Sequence, residues 1–484
     1  MLKKLINTLL VLSILTINAQ QNEIEKHIAA SEELNNSLVS FYVEDINTGK
    51  VLVDINSDIN IRPASNLKIL TTYAALEILK PDTRFKTDIK CYGKINSGII
   101  NSSIIISTEG DPSINSKYFD KNEVDFFGKA IKTFKEKHIK VINGDIIVID
   151  TLFKGLKIPA TWLWGDIGNY YGAGVSSFGV FDNRYHIVFD TRASLNDTAK
   201  IKTIFPQTGI KLTNKVLIDD KRGDRTNIYN TELCNKAVIR GFLPQGVDSF
   251  DVKGSIQNPE KLLAEILKRK LEENGIVVNG KCKVIRNPAN VPQFADKILF
   301  EYLSPTVAEI VEKTNLYSVN LFAEFLFRKT ASVLNGDGSN SIAAIKLKMY
   351  WVRKGLNINN VNIFDGSGLS PYNLISTKNM ATALKVILFD NKLFPVFKKS
   401  LPVAGKSGTL WNMFRKTEFE NRLFAKSGSM TGVKTYSGYI YPEGKTKPLV
   451  FSIAVNNFTS PSYKIKKQIQ QLILYLSKTY MQTQ

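Results

Sequence analysis

The chain has 484 residues, 43% hydrophobic and 22% charged, which fits globular protein, excludes wholesale disorder and leaves room for about three domains of ~150 residues. Its 30 Gly and 16 Pro exclude a collagen-like or Pro-rich chain, and its three Cys, with no C-x-x-C pair, exclude a disulfide-dense scaffold and offer no zinc site. The net charge of +20 would suit an anionic partner, but Lys is spread along the whole chain beside abundant Asn and Ile. That pattern reads as composition bias, and the absence of a basic run argues against nucleic acid. Three scattered His (His27, His138, His186) make a His-rich metal centre or a Ser-His-Asp triad a poor expectation.

Met1–Gln20 reads as a secretory signal: Lys3 and Lys4 precede an apolar core from Leu5 to Ile17, and Ala19 ends a small-residue cleavage site. No later run reaches the ~18 apolar residues of a membrane-spanning helix, so the mature chain is expected to be exported and soluble. Glu23–Leu34 looks helical. Ser40–Glu44 and Lys50–Ile55 are strand-like, joined by a turn at Asn47-Thr48-Gly49. After Pro63 an amphipathic helix is expected from about Ser65 to Leu79. Short strands follow to about Asp190, with one helix at Glu123–Lys137, and more strand-like segments lie around 200–255. Pro259–Glu273 is an amphipathic helix that Gly275 stops.

From Ser304 the texture becomes helical, with Val307–Leu334 and Ile342–Lys354. Arg422–Lys426, Tyr436–Tyr441 and Leu449–Val455 read as antiparallel strands. The closing helix, Tyr463–Tyr480, gathers Ile465, Ile469, Leu472, Ile473 and Leu476 on one side, to pack on that sheet. The N-terminal hairpin and the C-terminal sheet are expected to form one domain with the middle of the chain inserted. Cys91, Cys234 and Cys282 allow at most one bridge and read as buried small apolar residues.

Three short motifs carry chemistry. Ser65-Asn66-Leu67-Lys68 puts a hydroxyl and an amine three apart at a helix start, on one face. A serine hydroxyl needs an adjacent base, and a lysine becomes one when burial or a second cation lowers its pKa. Ser318-Val319-Asn320, on a tight turn between helices, offers a hydroxyl to relay a proton and an amide to hold a substrate amide. The same S-x-N string occurs at Ser113 and Ser194, so only its setting selects Ser318. Lys426-Ser427-Gly428, on an edge strand, supplies a cation, a hydroxyl for a substrate carboxylate and a glycine that admits substrate backbone. A second Lys-Ser-Gly at 406–408 lacks the turn, Ser429 to Gly432, that leads strand 426 into its neighbour.

The order S-x-x-K, S-x-N, K-S-G resembles that of penicillin-binding proteins and class A β-lactamases. The chain resembles in particular the D-alanyl-D-alanine carboxypeptidase/endopeptidase family of the penicillin-binding-protein-4 type, the S13 peptidases. Arg62–Lys68, Gly110-Asp111-Pro112, Tyr171–Gly174, Asn320–Glu324, Asp365–Ser370 and Leu401–Gly405 look familial, and the long separation of Ser65 from Ser318 fits the inserted domains of that family. The resemblance implies an α/β (α+β) penicillin-binding-protein/β-lactamase-like transpeptidase fold, an antiparallel sheet flanked by helices with β-rich inserted domains. It implies a signal at 1–19, a peptidase domain from 20–87 and 303–484, and an insert over 88–302.

It further implies that Ser65 is the nucleophile and Lys68 its base. Ser65 and Ser429 would supply oxyanion N–H groups, Ser318 and Lys426 a proton path, Asn320 an acyl-side contact, and Ser427 and Gly428 substrate contacts. Peptidoglycan stem peptides would be the substrates in the periplasm and β-lactam antibiotics covalent inhibitors, with no metal or organic cofactor. Ser427 stands where Thr is commoner, Val319 fills the loose middle of the second motif, and Pro371 replaces a frequent basic residue. A β-lactamase is the nearest alternative, but no E-x-x-x-N follows Ser318. A non-catalytic peptidoglycan-binding or β-lactam-sensing protein, and an esterase of the same fold, are the others.

Overall fold

The protein was examined as a computed structural model that describes residues 21–292, 297–444 and 446–480. The expected signal at Met1–Gln20 lies outside the described residues. The chain forms two compact units, one from Met1–Glu77, Val311–Ser318 and Ala344–Gln484, the other from Ile78–Ile310 and Val319–Ala343. Residues 319–343 thus pack with the inserted segment, whereas the sequence expectation grouped them with 303–484.

The first unit is built on a five-stranded sheet in the order Lys50–Ile55, Leu38–Asp45, Leu449–Asn456, Val433–Ile440, Leu423–Met430. Every neighbouring pair is antiparallel, so the N-terminal hairpin joins the C-terminal strands as expected. The middle strand, LVFSIAVN, is buried at every position, which is why it reads as an apolar run and not as an alternation. Leu449, Phe451, Ile453 and Val455 enter a core with Ile465, Ile469, Leu472, Ile473 and Leu476 of the helix Ser462–Tyr480, all five fully buried. The stripe of that helix therefore covers the sheet.

On the other sheet face, Ser437 and Ser452 hydrogen-bond each other at 2.8 Å, and Asn66 Nδ2 donates to Ser437 at 2.7 Å. The expected amphipathic helix is instead a single 3-10 turn, Ala64–Leu67, running into the α-helix Lys68–Leu79. Burial surrounds almost its whole length, down to Lys68, Thr71 and Thr72, so it is a central helix. Trp351, fully buried, donates its indole N–H to the Leu70 carbonyl at 3.1 Å.

The second unit holds a five-stranded sheet, Cys282–Ile285, Ile146–Ile149, Ile104–Thr108, Arg84–Cys91 and Lys297–Thr306, together with three-stranded sheets and a two-stranded one. The helices Phe126–Glu136 and Pro259–Glu273 bury their apolar sides in its core. Asp125 caps the first of these, its carboxylate accepting from Gly128 N at 2.9 Å, and so splits the single helix expected over 123–137. Cys91 is buried as expected, but Cys234 is exposed, and no disulfide joins any two of the three cysteines. Among the described residues no helix is long and apolar enough to cross a membrane, and no cluster of His, Cys, Asp and Glu could hold a metal.

Arg328, on the helix Asn320–Asn335, is the largest buried cation of this unit. Its guanidinium donates to the carbonyls of Gly338 and Lys154 (2.7 Å each), Leu156 (3.1 Å) and Val175 (3.3 Å), and lies over the Phe153 ring. Burial lowers its pKa to about 10, which leaves it protonated at neutral pH. The planar fork thus ties the 153–157 loop to the helix in a way a point charge cannot. Arg328→Leu would leave four carbonyls without this donor, and thermal unfolding should show a loss of about 3 kcal/mol or more, with Arg328→Lys recovering only part.

Candidate active site

Pro63 fixes the entry to the 3-10 turn, and in a 3-10 turn residues three apart eclipse. Ser65 therefore stands over Lys68, and the Lys68 amine lies 2.9 Å from the Ser65 hydroxyl oxygen. Lys68 is fully buried, and its Nζ also donates to the Ser367 carbonyl at 2.7 Å. That carbonyl belongs to a tight loop organised by the buried Asp365 carboxylate. Asp365 accepts from Gly368 N (2.8 Å), Ser370 N (2.6 Å) and Asn373 Nδ2 (2.8 Å), and Thr71 holds the Gly366 carbonyl at 2.7 Å. A Cβ on Gly368, whose φ is +82°, would fall 1.9 Å from the Ala64 carbonyl oxygen. The loop is thus pressed onto the turn that carries Ser65. Ala64 itself holds a φ of +44°, a strained value for a residue with a Cβ, at a position clamped from both sides.

The helical stretch expected over 307–334 is broken. Val307–Leu316 ends, Ser318 takes a φ of +58°, and Asn320–Asn335 begins a new helix. The break frees the Ser318 hydroxyl from helix packing and turns it to Lys426, whose Nζ donates to it at 2.9 Å and to the Ser427 carbonyl at 2.8 Å. Lys426 is fully buried. Burial, reinforced by the charge of nearby Lys68, pushes its pKa well below the ordinary lysine value. Each of two buried amines that feel each other this way makes a proton on the other harder to hold. Lys406, of the competing Lys-Ser-Gly triplet, is exposed.

The strand Leu423–Met430 completes the geometry. Ser427 Oγ donates to Thr409 Oγ1 at 2.7 Å. Thr409 sits in a short 3-10 turn, Gly408–Leu410, within the segment that holds the competing triplet. Thr435, opposite Gly428 in the ladder, donates to the Pro63 carbonyl at 2.8 Å. A Cβ on Gly428 would lie 2.3 Å from Thr435 Oγ1, 2.7 Å from the Pro63 carbonyl oxygen and 3.0 Å from Ser65 N. Only glycine lets this strand lie against the backbone at Ser65. Ser429, next along, is exposed and accepts from Lys434 at 3.3 Å.

The first unit therefore brings together Ser65, Lys68, Ser318, Lys426, Ser427, Gly428 and Ser429. Asn320 opens the helix Asn320–Asn335 of the second unit, where its Nδ2 donates to the Tyr171 carbonyl at 2.8 Å. Sequence reasoning did not single out Thr409, Thr435 or the Ser367 carbonyl. The last could have been suspected from the Asp-Gly-Ser-Gly run at 365, which is built for tight turns. The two threonines carry no local signal. Gly428→Ala should displace the Ser65 backbone and slow acylation of Ser65 by an activated ester by about a hundredfold, read by intact mass. An unchanged rate would mean that the close approach is dispensable.

The profile of the D-Ala-D-Ala carboxypeptidase 3 (S13) family matches residues 20–478. The chain is similar to the D-alanyl-D-alanine carboxypeptidase DacB of Haemophilus influenzae, 23% identical over 92% of this chain and 90% of that one. It is also similar to the D-alanyl-D-alanine carboxypeptidase of Actinomadura sp. (strain R39), 26% identical over 92% of this chain and 83% of the relative. Among solved structures, penicillin binding protein 4 (dacB) from Haemophilus influenzae superposes with a TM-score of 0.80 at 22% identity, covering 95% and 99% of the two chains. That superposition shows the penicillin-binding-protein fold. A sheet made from both ends of the chain, a seryl-lysyl turn beneath it and a family match from end to end agree: this chain belongs to the D-Ala-D-Ala carboxypeptidase 3 (S13) family of serine peptidases.

Proposed function

We propose that the protein is a D-Ala-D-Ala carboxypeptidase and DD-endopeptidase acting on peptidoglycan stem peptides through an acyl-enzyme at Ser65. The 2.9 Å contact between Ser65 Oγ and Lys68 Nζ, with a second buried lysine lowering the proton load of the pair, carries this reading. Ser65 Oγ attacks the carbonyl of the penultimate D-alanine, and its proton passes to Lys68 Nζ. Negative charge gathers on the carbonyl oxygen at the start of the 3-10 turn, where the first backbone N–H groups have no partner within the turn. The N–H groups of Ser65 and Ser429 receive it, each worth ~3–4 kcal/mol of barrier.

Collapse of that intermediate breaks the C–N bond. Ser318 and Lys426 pass the proton taken up by Lys68 on to the leaving amine, which departs as D-alanine or as the amine of a cross-linked neighbour, and Lys68 is neutral again. Ser427 and Gly428 hold the substrate's terminal carboxylate and backbone, and Asn320 the acyl-side amide. Water then hydrolyses the ester at Ser65, Lys68 again accepting a proton. In this reading the peptidase domain is formed by the segments on both sides of the 88–302 insert, and the protein works in the periplasm after loss of its signal. A β-lactam acylates Ser65 in the same way and stays attached, because its leaving group remains tethered.

Intact mass after incubation with benzylpenicillin, beside Ser65→Ala, tests the reading. A stable adduct on the wild type alone is expected. No adduct with intact drug would favour a binding protein, and no adduct with consumed drug a β-lactamase. The lysine pair makes a second prediction. With Lys426 present, the charge of each lysine disfavours a proton on the other, so Lys68 gives up its proton more readily than it would alone. In Lys426→Met, Lys68 alone must lose its proton to solvent, at a higher pH. The acid limb of kcat/KM against pH should therefore move up by about one unit or more, with a rate loss of ~10²-fold or greater.

A further inference from the structure

The inserted unit carries a cleft of about 920 Å³ that the chemistry at Ser65 does not use. Its floor is one face of a three-stranded sheet, Lys211–Asp219, Lys236–Pro244 and Arg225–Tyr229. Strand register sets Lys211 beside Lys236, Lys215 beside Arg240, and Thr213 beside Val238, with Tyr229 beyond. The alternate residues, Val216, Ile218, Ile228 and Ile239, are fully buried in the core, so the period of two leaves the cations facing solvent.

Like charges directly opposite each other destabilise a sheet, and here two such pairs stand side by side. No Asp or Glu lines the cleft, and among the described residues none of the four cations has a carboxylate partner. Lysines on an edge strand can serve to block edge-to-edge pairing, which would account for Lys211 and Lys215. Lys236 and Arg240 lie on the central strand, where that reason fails. The wall adds two aromatic rings, Trp164, 68% exposed, and Tyr229, their centroids 5.1 Å apart. It also contains Asn230, 4% exposed, whose Oδ1 and Nδ2 are both buried without a hydrogen-bond partner among the described residues. A buried amide left so is costly unless a bound group completes it.

We propose that this cleft is an accessory binding site for the peptidoglycan polymer itself. The proposal rests on the substrate class assigned to Ser65. Peptidoglycan carries free carboxylates on its stem peptides, which suit four unpaired cations. Its sugar rings offer flat C–H faces to Trp164 and Tyr229, and its acetamido and peptide amides can pair with Asn230. An anionic lipid surface shares the charge and the tryptophan. It does not explain a concave site with an unsatisfied amide in its wall.

The test is cosedimentation of the full mature chain, in a Ser65→Ala background that prevents turnover, with sacculi freed of attached protein and anionic secondary polymers. Lys236→Gln/Arg240→Gln should weaken binding at least tenfold, and Lys236→Arg should keep it within twofold. Trp164→Ala, at an exposed ring, should weaken it at least threefold and serves as the independent readout if the double variant does not fold, as judged by its thermal midpoint. Unchanged binding of folded variants overturns the proposal. So does an effect of the same variants on phosphatidylglycerol vesicles with none on sacculi. The substrate assignment fails separately, through absence of a penicillin adduct on the Ser65 protein, so the two failures are told apart.

Discussion

Everything at the catalytic end depends on two lysines buried in one place. A single buried ammonium is tolerable when carbonyls and hydroxyls surround it; two within reach of each other are not. The fold accepts that conflict. It gives each amine a backbone carbonyl, Ser367 for Lys68 and Ser427 for Lys426, and a serine hydroxyl, Ser65 and Ser318. Neutral carbonyls and hydroxyls hold the amines in position without the strong stabilisation of the ammonium form that a carboxylate would bring.

That arrangement demands precise backbone placement, and the surrounding features supply it. Asp365 spends its charge on the turn that aims the Ser367 carbonyl, and the left-handed Gly368 lets that turn press on Ala64. From the other side, Gly428 admits the strand and Thr435 grips the Pro63 carbonyl. The strained φ of Ala64 falls where these clamps meet the turn that carries Ser65. Strain of this kind, of order 1 kcal/mol or more per residue, persists only where neighbours overdetermine the backbone.

The sequence made the sheet and its covering helix readable because both follow simple periods. The strand at 449–456 announces two-sided burial by its unbroken apolar run, and the helix at 462–480 announces one-sided burial by its stripe. Ser65 and Lys68 were legible because the geometry that joins them is local, three residues on one turn. The helix from Lys68 misled for the opposite reason. Its polar residues, Thr71 and Thr72, look like a solvent face but are satisfied inside, by the Gly366 and Lys68 carbonyls. Thr409 and Thr435 could not be read, since their partners are distant in sequence and a lone threonine has no period. The motif Ser318-Val319-Asn320 reads as a turn between helices, as the structure has it, whereas the unbroken helical reading of 307–334 misses the break because residues on both sides favour helix. The grouping of 319–343 with the insert is likewise a matter of long-range packing, including the carbonyls of Lys154, Leu156 and Val175 that Arg328 gathers.

The charge of the chain shows how composition and placement differ as arguments. A net +20 distributed over the whole sequence says little about a partner, because a basic bias would look the same. Placement divides the cations into kinds. Lys68 and Lys426 are buried, and burial with the charge of Lys68 pushes the Lys426 pKa well below the ordinary lysine value. Many others are neutralised on the surface, as Lys385 is by Glu44 or Lys202 by Asp248. Lys211, Lys215, Lys236 and Arg240 belong to neither kind: exposed, paired with one another in register, and set against aromatic rings. Burial explains the first kind through proton transfer and ion pairing explains the second through local stability. On the central strand, Lys236 and Arg240 lower the stability of their own sheet, and a negatively charged group outside the chain, as proposed for the cleft, would offset that cost.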